Sequence, residues 1–261
     1  LIRHSADTPA GPVRVTAAGG QGRPLLLIHG WGGQGAQWTA LLPALAERFQ
    51  VLVADLPGGP DAPLSGAVSM ERLGQGVATL LRQAKLREVV IVGHSMGGPV
   101  MVEAALAAPD RISGLLGLDT LADRMFYGGS SAAEIAMRRT AFAADLVRQT
   151  RAMIFAIAAL GTPEPVKEAI CASVLRARPE DLLALRDALF AWRCGERLPR
   201  LAVPLRLLNS AEVTAAHARD PLPSLARVPQ TVYGTGHFPQ IESPDRLLPA
   251  LLAELDQFGI D

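Results

Sequence analysis

Ser95 lies in Gly93-His94-Ser95-Met96-Gly97, and the β-branched run Val89-Val90-Ile91-Val92 leads straight into it. A Gly-x-Ser-x-Gly segment between a buried strand and a helix holds its serine at the tip of a turn too sharp for bulky neighbours. The hydroxyl then stands at the N-terminus of the apolar stretch Pro99 to Ala108, where developing negative charge is stabilised. The chemistry on offer is nucleophilic attack on a carbonyl. The pentapeptide alone also suits a plain glycine turn in any parallel α/β protein, so the rest of the chain must supply the partners.

A serine nucleophile needs a base, and the chain has five histidines: His4, His29, His94, His217 and His237. His4 lies in the N-terminal segment, and His217 in a polar stretch bounded by prolines, read as a loop. His94 adjoins the serine with its side chain directed elsewhere. His29, in His29-Gly30-Trp31-Gly32-Gly33, is better suited to bracing that loop by hydrogen bonding than to reacting. His237, in Gly234-Thr235-Gly236-His237-Phe238-Pro239, follows a strand and sits on a turn. That is the carboxyl edge of a parallel sheet, where ligands of open α/β sheets bind. His237 is therefore the expected base. An oxyanion formed by attack needs backbone donors, and the N–H groups of Met96 and Trp31 are expected to supply them. The glycines at 30, 32 and 33 let that loop approach closely. Gly30, His94 and Trp192 complete the residues expected against the substrate, and Arg193 beside Trp192 could meet an acidic group. No metal site is expected. Cys171 and Cys194 make neither a disulfide framework nor a metal knuckle and are read as buried free thiols.

These residues need a scaffold. Leu25 to Ile28, Val51 to Ala54, Val89 to Val92 and Ile112 to Leu118 read as short buried strands, and helical patterns from Trp38, Met70 and Pro99 alternate with them. Strands alternating with helices indicate a parallel sheet covered on both faces. The alternation stops at Leu121. To Arg200 only helical patterns occur, over Ile135 to Leu160, Val166 to Arg178 and Asp181 to Trp192. Strands resume at Val203 to Leu208 and Val228 to Tyr233, and a last helix starts at Ser243-Pro244 with Ser243 as its cap. The expected division is a core of residues 1–120 and 201–261 with a helical insertion at 121–200. Met125, Phe126, Met153, Ile154, Phe155, Ile157 and Leu160 in that insertion are candidates for an apolar pocket or for the insertion's own core.

Composition narrows the partners. The 25 basic and 25 acidic side chains cancel, and no basic stripe or acidic tail suggests nucleic acid or an anionic membrane surface. A small, uncharged or weakly charged molecule, such as an apolar ester, fits better. No apolar run reaches the roughly 18–20 residues of a membrane span. The chain begins at Leu1 rather than methionine, which leaves room for an upstream leader. The cytoplasm is the default compartment and a monomer or homodimer the default state.

The segments at 29–33, 93–98 and 234–239, in that order, together with the helical block at 121–200, resemble the α/β-hydrolase family over nearly the whole chain. The resemblance implies a mostly parallel sheet of about eight strands flanked by helices, an inserted helical cap, a Ser-acid-His triad in that chain order, and no cofactor. The acid departs from the usual pattern. Most members carry an Asp shortly after the strand corresponding to Pro204–Leu208, whereas here Glu212 is the nearest carboxylate. Some members take the acid from the preceding strand end, where Asp119 stands. Asp119 is favoured because a short carboxylate held rigidly orients an imidazole best, with Glu212 as the alternative. Ester hydrolysis through Ser95 is the leading expectation. Carbon–carbon hydrolases, lactonases, perhydrolases and triad-retaining receptors share the motifs. Haloalkane dehalogenases and epoxide hydrolases do not fit, because their alkyl-ester chemistry needs a carboxylate nucleophile.

Overall fold

Side-chain alternation along the strands sorts the core into two layers, one on each face of a single sheet. The computed structural model describes residues 3–259, so Leu1 and the outermost residues of the expected core lie outside it. The strands are β1 (Arg3–Ala6), β2 (Val13–Gly19), β3 (Pro24–Ile28), β4 (Gln50–Asp55), β5 (Val89–His94), β6 (Ile112–Leu118), β7 (Leu205–Ser210) and β8 (Gln230–Gly234). Their order across the sheet is β1-β2-β4-β3-β5-β6-β7-β8. β1 and β2, and β2 and β4, pair antiparallel; every other pairing is parallel.

Leu26 and Ile28 face one layer with Ile91 and Leu115, and Leu25 and Leu27 face the other with Val90, Val92 and Leu116. The first layer packs on helices α2 (Met70–Gln83) and α3 (Gly97–Ala107), through Leu73, Val77, Val100 and Met101. The second packs on α1 (Leu42–Ala46) and on the C-terminal helix Pro244–Asp256, through Leu45, Leu247, Leu251 and Leu255. β5 is buried at all six positions, as the unbroken run Val89–Val92 requires of a strand covered on both faces.

Between β6 and β7 the described chain is helical: α4 (Arg124–Tyr127), α5 (Ala132–Ala143), α6 (Leu146–Ile157), α7 (Glu164–Val174), α8 (Pro179–Ala191) and α9 (Cys194–Arg197). The pattern expected as one helix from Ile135 to Leu160 is two, because Asp145 starts a new one by accepting from the Arg148 N–H at 3.1 Å. Helix α5 begins with a capping box, Ser131 reciprocated by Glu134. After β7 come α10 (Ala211–Arg219), α11 (Pro239–Glu242) and α12 (Pro244–Asp256). His217 lies on α10 rather than in a loop, with Nδ1 donating to the Ala122 carbonyl at 3.1 Å. Ser243 precedes α12, but its side chain makes no capping hydrogen bond; Pro244 at the first turn does the work of starting the helix. Both cysteines are free and buried. No described helix is long and apolar enough to cross a membrane.

Candidate active site

The turn after β5 puts Ser95 at φ 52°, a left-handed conformation that costs a non-glycine residue about 1–3 kcal/mol. The residues two positions to either side of it must be glycine. A Cβ on Gly93 would stand 2.4 Å from the Gly97 carbonyl oxygen, and one on Gly97 would stand 2.7 Å from that of Ile28. The turn is held from below, where the Ser95 N–H donates to Leu118 O at 3.1 Å and Thr120 Oγ1 donates to Ser95 O at 2.6 Å. Helix α3 starts two residues on.

Asp119 directly follows β6 and also has a positive φ, 45°. Its N–H bonds Leu208 O of β7 at 3.0 Å, and its Oδ1 accepts from the Ser210 N–H at 2.7 Å, so the carboxylate is clamped between two strand ends. The other oxygen, Oδ2, accepts from His237 Nδ1 at 2.6 Å, and His237 Nε2 lies 3.0 Å from Ser95 Oγ. Asp119 is 2 % exposed. Burial pushes its pKa up, but the hydrogen bond and charge of His237 and the donors of Ser210 outweigh this and hold it below the usual carboxylate range. Asp119 is thus ionised and paired with the imidazole, and Glu212 makes no hydrogen bond to that ring. Glu212, on the first turn of α10, accepts from the Gly236 N–H at 3.4 Å.

Two other histidines support these groups. His94 Nε2 donates to the His237 carbonyl at 2.7 Å, which fixes that nitrogen as protonated and leaves Nδ1 to accept from Gln240 Nε2 at 3.3 Å. Burial and the nearby His237 push the His94 pKa down to about 3, so it is neutral. His29 Nδ1 donates to Gly30 O at 2.8 Å and Nε2 accepts from the Leu56 N–H at 3.0 Å, bracing the glycine loop as its motif suggests. That loop lies directly on the serine, since a Cβ on Gly30 would meet Ser95 Cβ at 2.9 Å. Among the described residues, the backbone N–H groups of Trp31 and Met96 donate to no protein acceptor. Two unpaired donors beside a serine are what an oxyanion needs. The Trp31 indole reaches across to Leu182 O of α8 at 2.8 Å.

A cavity of about 420 Å³ opens onto Ser95 and His237. Gly30 and His94 line it, with Phe126, Met153, Ile154, Phe155 and Ile157 of the helical segment. Trp192 does not. It is 2 % exposed, and its Nε1 donates to Glu103 Oε1 on α3 at 2.7 Å, where Arg197 also binds. Trp192 anchors the helical segment to the core instead of meeting substrate. Met125 stands half exposed outside the cavity, and Arg193 lies 3.7 Å from Glu196. Three cavity or loop residues gave no signal in the sequence. Tyr127 faces Thr120 and Ser95, and burial pushes its phenol far above the usual range, so it stays a donor. Glu242 ties the His237 loop to the end of α6, and Arg186 lines the cavity from α8. Each acts at least in part through contacts distant in the chain: Tyr127 with Ser95, Glu242 with Ala159, Arg186 with Phe142. No group of three or more His, Cys, Asp or Glu among the described residues could hold a metal.

A serine, an imidazole and a buried carboxylate in series on strand ends of such a sheet define a hydrolase fold. Residues 25–250 match the model of the Alpha/beta hydrolase family, and the chain belongs to that family. It is similar to the pimeloyl-[acyl-carrier protein] methyl ester esterase of Vibrio cholerae, 33% identical over 213 residues that cover 77% of this chain and 81% of that enzyme. The enzyme of the same name from Aeromonas hydrophila is 41% identical, over 99 residues that cover 37% of each chain. Among solved structures, a thermophilic esterase from Thermogutta terrifontis, studied with malate bound, superposes with a TM-score of 0.80 at 26% identity, covering 99% of both chains.

Proposed function

We propose that this chain hydrolyses carboxylic esters through an acyl-enzyme on Ser95. The observation that carries this reading is the series Ser95 Oγ to His237 Nε2 at 3.0 Å and His237 Nδ1 to Asp119 Oδ2 at 2.6 Å, at the floor of the cavity. Ser95 attacks the ester carbonyl while His237 Nε2 takes its proton. Asp119 holds the Nδ1–H tautomer and stabilises the imidazolium, and the N–H groups of Trp31 and Met96 receive the oxyanion. His237 then protonates the departing alcohol, and water, deprotonated by the same nitrogen, releases the acid. Glu212 has no part in this series.

The residues at 121–200 serve as a cap whose apolar side chains receive the hydrocarbon part of an ester, with Gly30 and His94 at its reacting end. The names of the similar enzymes support an ester of a small alcohol on an extended acyl chain. The decisive test is turnover of methyl and p-nitrophenyl esters of short and medium acyl chains, lost in Ser95→Ala. Equal inactivity of the wild type across the series would instead favour a binding protein that retains the triad geometry.

A further inference from the structure

Arg186 lines the catalytic cavity and is the only guanidinium among the described residues that does so. Two aromatic rings pack against it: its Cζ stands 4.2 Å from the centroid of Phe142 and 4.7 Å from that of Phe190. Stacking of this kind fixes a guanidinium in orientation and leaves its in-plane N–H edges for hydrogen bonding. One edge is used weakly, by Nη1 to the Arg138 carbonyl at 3.4 Å. Along the other edge, Nε is buried without a hydrogen-bond partner and Nη2 donates to nothing among the described residues. An Nε–Nη2 edge is the side-on fork that takes a carboxylate or phosphate through two parallel hydrogen bonds; here Nε has no free surface, so the side chains packed over it must shift for both bonds to form.

The protein does not fill this fork itself. The adjacent carboxylate, Asp187, is engaged by Arg139, and no carboxylate of the described residues lies within 4.0 Å of Arg186. The acidic residues of the cavity are committed elsewhere: Asp119 to His237, Asp123 to the Met125 N–H at 2.8 Å, Glu212 to the Gly236 N–H. The remaining cation of the lining, Lys167, sits 5.6 Å over the Phe155 ring. A buried donor without a partner costs free energy, and burial also works against the Arg186 charge.

The position of Arg186 relative to the reacting centre follows from α8. Leu182 on that helix accepts the Trp31 indole N–H, and Arg186 is four residues on, about one turn along the same face, or about 6 Å along the axis. A single ring, Phe142, separates them, at 5.9 Å from the Trp31 indole on one side and 4.2 Å from the guanidinium on the other. We infer that Arg186 binds an anionic acceptor, a carboxylate or phosphate ester, at the remote end of an ester substrate whose scissile carbonyl lies at Ser95. The cavity is then built for a bifunctional molecule, apolar in the middle and charged a few methylenes from the ester. This inference rests on the ester-hydrolase reading and adds its substrate class.

The test compares monomethyl adipate, methyl hexanoate, and the methyl hexanoate bearing a terminal phosphate ester. Each is measured as kcat/KM with wild type, Arg186→Met, Arg186→Lys and Lys167→Met. The expected result is a preference of wild type for one or both anionic esters over methyl hexanoate, residing in KM, that falls about 10- to 100-fold in Arg186→Met and is partly restored in Arg186→Lys. The two anionic esters distinguish a carboxylate from a phosphate ligand. Because the preference is a ratio, poor folding of a variant affects both substrates alike. A wild type indifferent to the charge overturns the inference, and so does a preference that survives Arg186→Met or that falls only in Lys167→Met. Calorimetric titration of the same esters into Ser95→Ala and into Ser95→Ala/Arg186→Met reads the site without turnover. Anion-dependent binding lost with Arg186, in a protein whose wild type cleaves no ester, would sink the hydrolase reading and keep the anion site. Ester cleavage without anion-dependent binding would do the reverse.

Discussion

The backbone N–H of His237 donates to the carbonyl of Ile157 at 2.9 Å, so the imidazole loop hangs from the end of α6 as well as from the sheet. Position of the base is therefore shared between the core and the helical segment above it. Any change that moves α6 should be felt at Nε2 before it is felt anywhere else in the core.

Glu242 strengthens that joint. Its Oε1 accepts from the Phe238 N–H at 2.7 Å, while Oε2 accepts from the Ala159 N–H at 2.6 Å and from the Thr162 hydroxyl. Glu242→Ala leaves donors on both sides of the joint unpaired and should cost about 1–3 kcal/mol of stability. Loosening the base should also lower kcat by on the order of 10². Glu242→Gln, which keeps an acceptor oxygen, should lose less on both counts. Urea unfolding and ester kinetics on the two variants check this; unchanged kcat in the alanine variant would show that α6 does not position His237.

The choice between the two carboxylates reduces to one comparison. Asp119→Asn keeps the shape of the clamp between β6 and β7 but presents an amide to His237 Nδ1, favouring the wrong tautomer. Its kcat/KM should fall by about 10⁴. Glu212→Gln alters only a long 3.4 Å hydrogen bond to the Gly236 N–H and should stay within a few-fold of wild type. A larger loss in the Glu212 variant would reverse the proposed roles.

Much of this arrangement was legible in the sequence, for local reasons. Ser95 and the His237 turn announce themselves because glycines crowd the turns that present them. The inner strands show as apolar runs because they are buried on both faces. Asp119 could be favoured but not fixed from the sequence, since its contact with His237 joins residues 118 apart. The antiparallel strands β1 and β2 gave no comparable run: β2 alternates cleanly only at Val13, Arg14 and Val15 before fading to half-burial. Trp192 was misplaced for a different reason. Its position at the end of α8 does not reveal which side it packs on, and its partner Glu103 lies 89 residues away.

Trp192→Phe tests that correction. Loss of the indole N–H removes a hydrogen bond to a buried carboxylate and should destabilise the fold by about 1.5–3 kcal/mol. Because the ring does not reach the cavity, KM for every ester should be unchanged in the folded fraction. A KM rise without loss of stability would return Trp192 to the substrate site.

The neutral histidines set the acid limit of stability. His94 is held at about 3 by burial and by His237, whereas an unfolded chain would give it an ordinary value near about 6.5. Burial lowers His29 in the same direction. Below about pH 6.5 the unfolded state binds protons that the folded state refuses, so the histidines' contribution is complete above that pH and is lost as pH falls. Each such group gives a slope of about 1.4 kcal/mol per pH unit. Asp119 is also depressed, but its contribution is lost only below about pH 4, where an unfolded aspartate takes up its proton. The interval between about pH 6.5 and 4 therefore reports the histidines. Urea midpoints measured across it should fall steadily for wild type. His94→Asn, which removes one of the buried imidazoles, should flatten the slope by about 1.4 kcal/mol per pH unit even though it is less stable at neutral pH. An unchanged slope would mean that His94 accepts a proton within the folded protein, and the hydrogen bond from its Nε2 to the His237 carbonyl would then have to coexist with a charged ring.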